Sequence, residues 1–193
     1  PVTFPNILTN NTLGIAVGMA SSICSFNLAE VCNTTIALLK DENADIKDTL
    51  IAPDFAGGGI ILYDESDIDG VYNTGRGSIK VRSKWNYVKE DNVIEITEIP
   101  PTTTVEAIID KVADLVKQGK IKEINDVRDE TDLNGLKLTF DLKRGQDPEK
   151  FMRKLFRSTP LEDNFSANFN ILIGGSPRVM GIREILTEWT AYR

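Results

Sequence analysis

The chain has 193 residues, of which 41% are hydrophobic and 26% are charged, which are ordinary values for a globular protein with a sizeable core. It contains no histidine, two cysteines and no long apolar run, which disfavours a zinc site, a histidine-dependent hydrolase and a membrane span. The net charge of −7 argues weakly against a nucleic-acid partner, and two reduced cysteines fit a cytoplasmic protein.

The charge is distributed unevenly along the chain. Residues 41–70 contain nine acidic side chains and one basic side chain, whereas residues 75–89 contain five basic side chains and no acidic one. The local sign of the charge is therefore more informative than the net value.

Residues 1–24 contain prolines, glycines and polar turn residues, which predict extended or looped structure. The stretch "NNTLGIAVGMA" at 10–20 places Ile15 among small apolar residues and between two glycines. Three interpretations compete: a buried strand, a site of close backbone packing, or an exposed tip that presents Ile15.

A helix is predicted from Asn27, a good N-cap residue, to about Lys40, and an acidic loop and a short helix follow. The segment "SIKVRSKW" at 78–85 then alternates as a strand does. One predicted face carries Ile79, Val81 and Trp85. The opposite face carries three basic side chains, with a fourth at the preceding turn: Lys80, Arg82, Lys84 and Arg76. This basic row suits either a line of phosphates or a solvated strand face.

Residues 92–173 predict the order β-α-β-β-α-β. The first helix has a capping box at Thr103, an Asn134-Gly135 turn joins the middle strands, and Asp147-Pro148 opens the second helix. This order predicts an α+β fold with a split β-α-β arrangement on an antiparallel sheet. A loop or wing segment precedes this core, and "IREILTEWTAYR" at 182–193 resembles the start of a long helix.

Six short motifs occur in an order that resembles the A subunits of bacterial type IIA DNA topoisomerases, DNA gyrase and topoisomerase IV. The resemblance covers essentially the whole chain, and its motifs are "FPNIL" at 4–8, "GIAVGMAS" at 14–21, "NLAEV" at 27–31, "PDF" at 53–55, "YNTGRG" at 72–77 and "RDETD" at 128–132. The combination of "GIAVGMA" with "TGRG" at this separation is highly specific.

The resemblance implies three regions. Residues 1–26 would hold the end of a winged-helix region and a DNA-wedge segment, residues 27–180 a tower domain, and residues 181–193 the start of a coiled-coil arm. In this family the isoleucine of "GIAVGMA" inserts between base pairs of the DNA that is cut, and Ile15 occupies the matching position. The basic row is the further DNA-binding candidate.

The resemblance also implies what the parent protein does. It would be an ATP-dependent isomerase that breaks double-stranded DNA through a phosphotyrosine bond, passes a second duplex and rejoins the ends. A homodimer of A subunits would work with a B subunit that binds ATP and Mg²⁺. The family's nucleophilic tyrosine lies upstream of "FPN", so we expect it before Pro1, and none of this chain's tyrosines matches it. We therefore assign no catalytic residue and no metal site, and expect the chain alone to be inactive.

Two departures from the family pattern limit what the resemblance implies. Thr3 stands where the family often has an arginine, and residues 23–27 read "ICSFN" where many members read "IPPHN". Contacts made by that arginine or histidine are not carried over. The motifs do not separate gyrase from topoisomerase IV.

A different class of function also accounts for residues 92–173. A small-molecule-binding or assembly domain with the same α+β topology would explain this region equally well, because the topology hosts many functions. It would leave "GIAVGMA" and "TGRG" unexplained, which favours the DNA-binding hypothesis.

Overall fold

A computed structural model describes residues 2–193, which form five α-helices and eleven β-strands. Pro1, the first residue of the predicted wedge segment, lies outside the described residues. The helices are α1 (Leu28–Lys40), α2 (Glu65–Thr74), α3 (Val105–Lys117), α4 (Pro148–Ser158) and α5 (Ile182–Tyr192). The strands are β1 (Thr12–Ala16), β2 (Met19–Ile23), β3 (Ile60–Ile61), β4 (Arg76–Arg82), β5 (Lys84–Val88), β6 (Val93–Glu98), β7 (Ile124–Asp129), β8 (Leu138–Leu142), β9 (Glu162–Asn168), β10 (Asn170–Ile173) and β11 (Ser176–Val179).

The strands form three sheets. The largest has the order β1-β2-β9-β4-β3, a second has the order β5-β6-β8-β7, and β10 and β11 form a two-stranded ribbon. Within the second sheet and the ribbon, each neighbouring pair is antiparallel. The predicted α+β class with antiparallel sheets is confirmed.

The chain divides into two compact units. One contains the residues up to Ala56 together with Tyr63–Ile79 and Phe165–Arg193, and the other contains Gly57–Leu62 and Lys80–Asn164. We call these the hairpin unit and the α3/α4 unit. Strands β4 and β9 each contribute residues to both units.

The α3/α4 unit contains the predicted split β-α-β arrangement. Strand β8 lies between β6 and β7 and is antiparallel to both, so the strands before and after α3 run parallel without touching. Both helices pack their apolar stripes on this sheet, with Ile108 and Leu155 fully buried against Ile96 and Phe140. Helix α3 begins one residue later than its predicted capping box implies, because Thr104 rather than Thr103 accepts the hydrogen bond from the Ala107 backbone N–H.

The strand after α4 differs from the prediction. The predicted single strand through residues 165–173 is wrong, because the strand is interrupted at Phe169. Phe169 is fully buried and donates its backbone N–H to the Gly75 carbonyl oxygen. The part before the break, β9, joins the five-stranded sheet, and β5 takes the sheet edge beside β6. The α4 connection therefore leaves the four-stranded sheet instead of returning to it.

The hairpin unit is held by buried apolar residues and by close backbone approaches, of which the one at Gly75 explains a motif residue. Phe26 and Tyr72 meet edge to face with their ring centroids 5.8 Å apart. Gly75 ends α2 in the left-handed conformation, with φ +76°, and a Cβ at this position would lie 2.3 Å from the Met180 carbonyl oxygen. Only glycine satisfies both conditions, which explains the first glycine of "TGRG" as a requirement of the fold.

Candidate nucleic-acid interface

Strands β1 and β2 form a hairpin around the sequence "GIAVGMA". Ala16 pairs with Met19, so a two-residue turn of Val17 and Gly18 connects the strands. Gly18 has φ +76°, a conformation that glycine adopts without steric cost. In this register Ile15 lies opposite Ala20.

One face of this hairpin presents apolar side chains to the surroundings. Leu13 and Ile15 are two residues apart on β1, so they lie on the same face, and their side chains are 76% and 88% exposed. Val17 at the turn is fully exposed. A Cβ added at Gly14 would meet no atom within 4 Å, so within residues 2–193 nothing requires a glycine there. The structure therefore contradicts the interpretations of a buried strand and of close internal packing, and leaves an exposed tip that presents Ile15.

The hairpin is fixed at the strand opposite Ile15. The Asn168 and Asn170 side-chain amides both donate to the Ala20 carbonyl oxygen, at 2.9 and 3.4 Å, and the Ser21 hydroxyl donates to the Asn170 carbonyl oxygen at 2.6 Å. The base of the hairpin ends in the buried side chain of Ile23. The apolar face is thus held by hydrogen bonds rather than carried on a free loop.

The basic row lies on two strands and not on one. Ser83 is fully buried between β4 and β5 and donates its backbone N–H to the Leu161 carbonyl oxygen at 2.8 Å, which ends the first strand. The predicted continuous strand at 78–85 is therefore wrong. The predicted alternation is confirmed in burial, since Ile79 and Val81 are buried while Lys80 and Lys84 are exposed.

Carboxylates already contact most of the basic row. The Arg82 guanidinium binds Glu162 through Nη2 at 2.7 Å and Nε at 2.8 Å, and it also lies 4.6 Å from the centroid of the Phe156 ring. Lys80 lies 3.9 Å from the same Glu162, and Lys84 lies 3.9 Å from Glu98. A phosphate at this row would compete with these carboxylates.

Arg76 differs from the rest of the row. It is exposed at the start of β4 and makes no ion pair with any of residues 2–193. Its backbone N–H donates to the Thr74 hydroxyl at 3.2 Å, which fixes the turn and leaves the guanidinium available. Of the four basic candidates, Arg76 is the one that the fold leaves without a carboxylate.

A second basic surface was not predicted from the sequence. We call it the α4 basic face, and it consists of exposed side chains on α4 and in the connection before it: Lys143, Arg144, Lys150, Arg153 and Arg157. The signal that could have found it is the spacing of the three helical members, which recur at i, i+3 and i+7 on a helix whose other side is apolar.

Tyr72 is buried and Tyr87 is half-buried, and neither hydroxyl is in a setting that suits a nucleophile. Burial, followed by the charges of neighbouring acidic groups, raises the pKa of the Tyr72 hydroxyl well above its ordinary value. The Tyr87 hydroxyl is 2.8 Å from the Asn92 side-chain oxygen and donates to it. These settings describe Tyr72 and Tyr87 alone, and the expectation that no tyrosine of this chain is the catalytic one stays a prediction.

Clustered metal ligands and membrane-spanning helices are both missing from residues 2–193. No three or more cysteine, aspartate or glutamate side chains in this range are grouped to hold a metal ion. None of the helices in this part of the chain combines the length and apolar character that a membrane-crossing helix needs.

Comparison with known proteins identifies relatives along the whole chain. Residues 1–193 match the family of DNA gyrase and topoisomerase IV A subunits. The chain is 42% identical over 192 residues to the DNA gyrase A subunit of Ureaplasma parvum, covering 96% of this chain and 23% of the relative. It is 40% identical over 204 residues to the DNA topoisomerase 4 A subunit of Rickettsia conorii, covering all of this chain and 27% of the relative. The chain thus spans about a quarter of the length of the relatives that it matches.

Proposed function

Since the chain belongs to the family of DNA gyrase and topoisomerase IV A subunits, we propose that it forms a DNA-contacting region of a type II topoisomerase. The parent enzyme would break, pass and rejoin double-stranded DNA, and this chain would deform the duplex rather than carry out the chemistry. The observation that carries the proposal is the exposed apolar face of the β1–β2 hairpin.

In this proposal Ile15 is a wedge that enters a base step. An apolar side chain pushed between base pairs costs a few kcal/mol of unstacking, which a bent duplex recovers by contacting more protein surface. The anchored hairpin supports this role because a wedge must keep its position while it displaces stacked bases. The open space at Gly14 supports it as well, since a slim backbone beside Ile15 lets the strand approach the duplex.

The remaining partners follow from the family and are proposed with it. We propose that the working assembly contains double-stranded DNA, two A subunits and the B subunits. ATP and Mg²⁺ would bind to the B subunits, and the assembly would act in the cytoplasm. The residues of this chain would bind and orient DNA. The nucleophilic tyrosine would come from another part of the same polypeptide, and neither Tyr72 nor Tyr87 would supply it.

Replacing Ile15 with alanine in the full-length protein tests the proposal. Alanine is too small to fill an opened base step, so we expect weaker DNA bending, measured by fluorescence transfer between dyes on the two ends of a duplex. Because Ile15 is exposed, the free energy of unfolding should change by no more than about 0.5 kcal/mol.

Leu133→Ala is the matched control. Leu133 is a fully exposed aliphatic residue on the β7–β8 connection, so its loss removes a similar side chain without touching the wedge. Equal bending by wild type and Ile15→Ala would rule out the wedge, and equal losses in both variants would show that the effect is not specific to Ile15.

A further inference from the structure

Helix α4 separates apolar and basic side chains onto opposite sides. Phe151, Met152 and Leu155 are buried against the four-stranded sheet. Lys150, Arg153 and Arg157 point outward and are exposed. These three positions are separated by three and four residues, so they form one row along about 10 Å of helix.

The start of the helix orients this row. The Asp147 carboxylate accepts the backbone N–H groups of Glu149 and Lys150, at 3.0 and 3.4 Å, and Pro148 occupies the first turn. The Asp147 carboxylate therefore serves as the N-cap, and it makes no ion pair with the basic row among the described residues.

The cations of the α4 basic face lack carboxylate partners. Across residues 2–193, none of Lys143, Arg144, Lys150, Arg153 and Arg157 forms an ion pair. Lys154 on the same helix differs, because its ammonium group lies 2.7 Å from Glu123 Oε1. Residues 143–157 carry six basic side chains, Lys154 included, and two acidic side chains. This local excess of positive charge occurs in a chain whose net charge is −7.

The shape of this surface suits an extended polyanion. A groove of about 600 Å³ runs beside α4. Four cations line it, Lys150, Arg153, Lys154 and Arg157, together with two carboxylates that already have partners in the fold, Glu123 in its ion pair with Lys154 and Asp147 in the helix cap. The cations are spread over a helix face and the preceding connection, and all are exposed, so they do not converge on one small anion. Double-stranded DNA carries one negative charge per about 1.7 Å of its axis, so a row about 10 Å long faces several phosphates.

We propose that the α4 basic face binds the phosphate backbone of double-stranded DNA. The proposal rests on the proposed function, since it assigns a second DNA-contacting surface to the same protein. This surface contacts phosphates and not base edges, so it holds DNA regardless of sequence, whereas Ile15 acts on a base step. It also differs from the basic row on β4 and β5, where Glu162 and Glu98 already contact three of the four cations.

The salt dependence of DNA binding tests this assignment directly. The variant Lys150→Gln/Arg153→Gln/Arg157→Gln, made in the full-length protein in complex with its B subunit, is titrated with duplex DNA at several salt concentrations. Each lost phosphate contact lowers the slope of log affinity against log salt by about 0.9, so we expect a decrease of up to about 2.7.

A matched variant on α3 and the turn after it controls for the loss of three charges. Lys111, Lys117 and Lys120 belong to the same unit, are exposed and make no ion pair among the described residues. Lys111→Gln/Lys117→Gln/Lys120→Gln therefore removes the same net charge, and its salt slope should stay at the wild-type value.

The possible outcomes separate the two proposals. If wild type binds DNA and the α4 variant keeps the wild-type slope, or if both triple variants lose slope equally, the α4 assignment is wrong and the proposed function stands. If wild type binds no DNA, the proposed function itself fails. Should the triple variant not fold, Arg153→Gln alone is expected to lower the slope by about 0.9, and an unchanged slope overturns the assignment.

Discussion

Ile15 is a large aliphatic residue that the hairpin leaves 88% exposed, with Ala20 as its cross-strand neighbour. A single exposed aliphatic side chain needs no explanation, but here Leu13 lies two residues away on the same strand and Val17 lies in the adjoining turn, and both are exposed as well. Gly14, next to Ile15, has no contact that would exclude a side chain. Together these residues form a thin, exposed apolar edge, which is the shape that the proposed wedge requires.

Gly14→Ala tests this interpretation without removing the wedge. The added methyl group meets open space within the fold, and Gly14 does not have a positive φ, so the melting temperature should be close to that of wild type. The same methyl group would hold the strand away from a duplex, so DNA bending should decrease. Wild-type bending by a well-folded Gly14→Ala variant would show that the backbone at Gly14 does not approach DNA closely.

The two elements proposed to contact DNA are positioned by different interactions. The β1–β2 hairpin is fixed by hydrogen bonds from Asn168 and Asn170 to Ala20, whereas α4 is fixed by burial of its apolar side and by the Asp147 cap. A further ion pair links α4 to the segment before β7, where Lys154 meets Glu123. Breaking that pair should affect stability and leave the exposed cations unchanged.

The Lys154–Glu123 pair predicts a pH-dependent contribution to stability. Partial burial favours the neutral Glu123 side chain, but the hydrogen bond from Lys154 and those from backbone amides outweigh it and hold the pKa of Glu123 below its ordinary value. A lowered pKa in the folded state stabilises the fold above the unfolded-state pKa, and this stabilisation is lost as the pH falls through the folded-state value.

Glu123→Gln should therefore be less stable than wild type at neutral pH by no more than about 1 kcal/mol, because the pair is partly exposed. Chemical denaturation of both proteins between neutral and acidic pH measures the difference. It should shrink on acidification below the ordinary glutamate pKa, and a difference that stays constant with pH would mean that the ion pair contributes nothing.

At the scale of the whole molecule, local charge matters more than the net charge of −7. The sequence predicts a DNA-binding row at Arg76, Lys80, Arg82 and Lys84, and that assignment stays a prediction. The structure shows that Glu162 and Glu98 contact three of these four cations. Those carboxylates are distant in sequence from the cations they contact, so no local pattern could reveal the pairing.

The same limit explains which parts of the fold could be predicted. The helices and the β7–β8 hairpin follow from caps, apolar periodicity and turn residues that lie close together in the chain. The breaks at Ser83 and Phe169 were not predictable, because the apolar pattern continues through both while distant backbone partners, Leu161 and Gly75, end the strands. The α4 basic face was predictable from helical spacing and was missed.

The wedge shows where a pattern alone was insufficient. An apolar run around Ile15 is compatible with a buried strand, and the family resemblance, not the residue pattern, favoured insertion into DNA. Exposure of the hairpin face removes the buried alternative. The central claim is that Ile15 inserts into a base step. Its direct test therefore observes the stacking of the DNA bases and not the protein.

Fluorescence of 2-aminopurine tests that claim most directly, because this base analogue brightens when it loses a stacked neighbour. Duplexes carrying it at successive steps are bound to the full-length protein in complex with its B subunit, once as wild type and once as Ile15→Ala. We predict that wild type increases the fluorescence at one step and that Ile15→Ala, bound to the same extent, does not. An equal increase with both proteins at that step would contradict the account, because the bases would then unstack without the wedge.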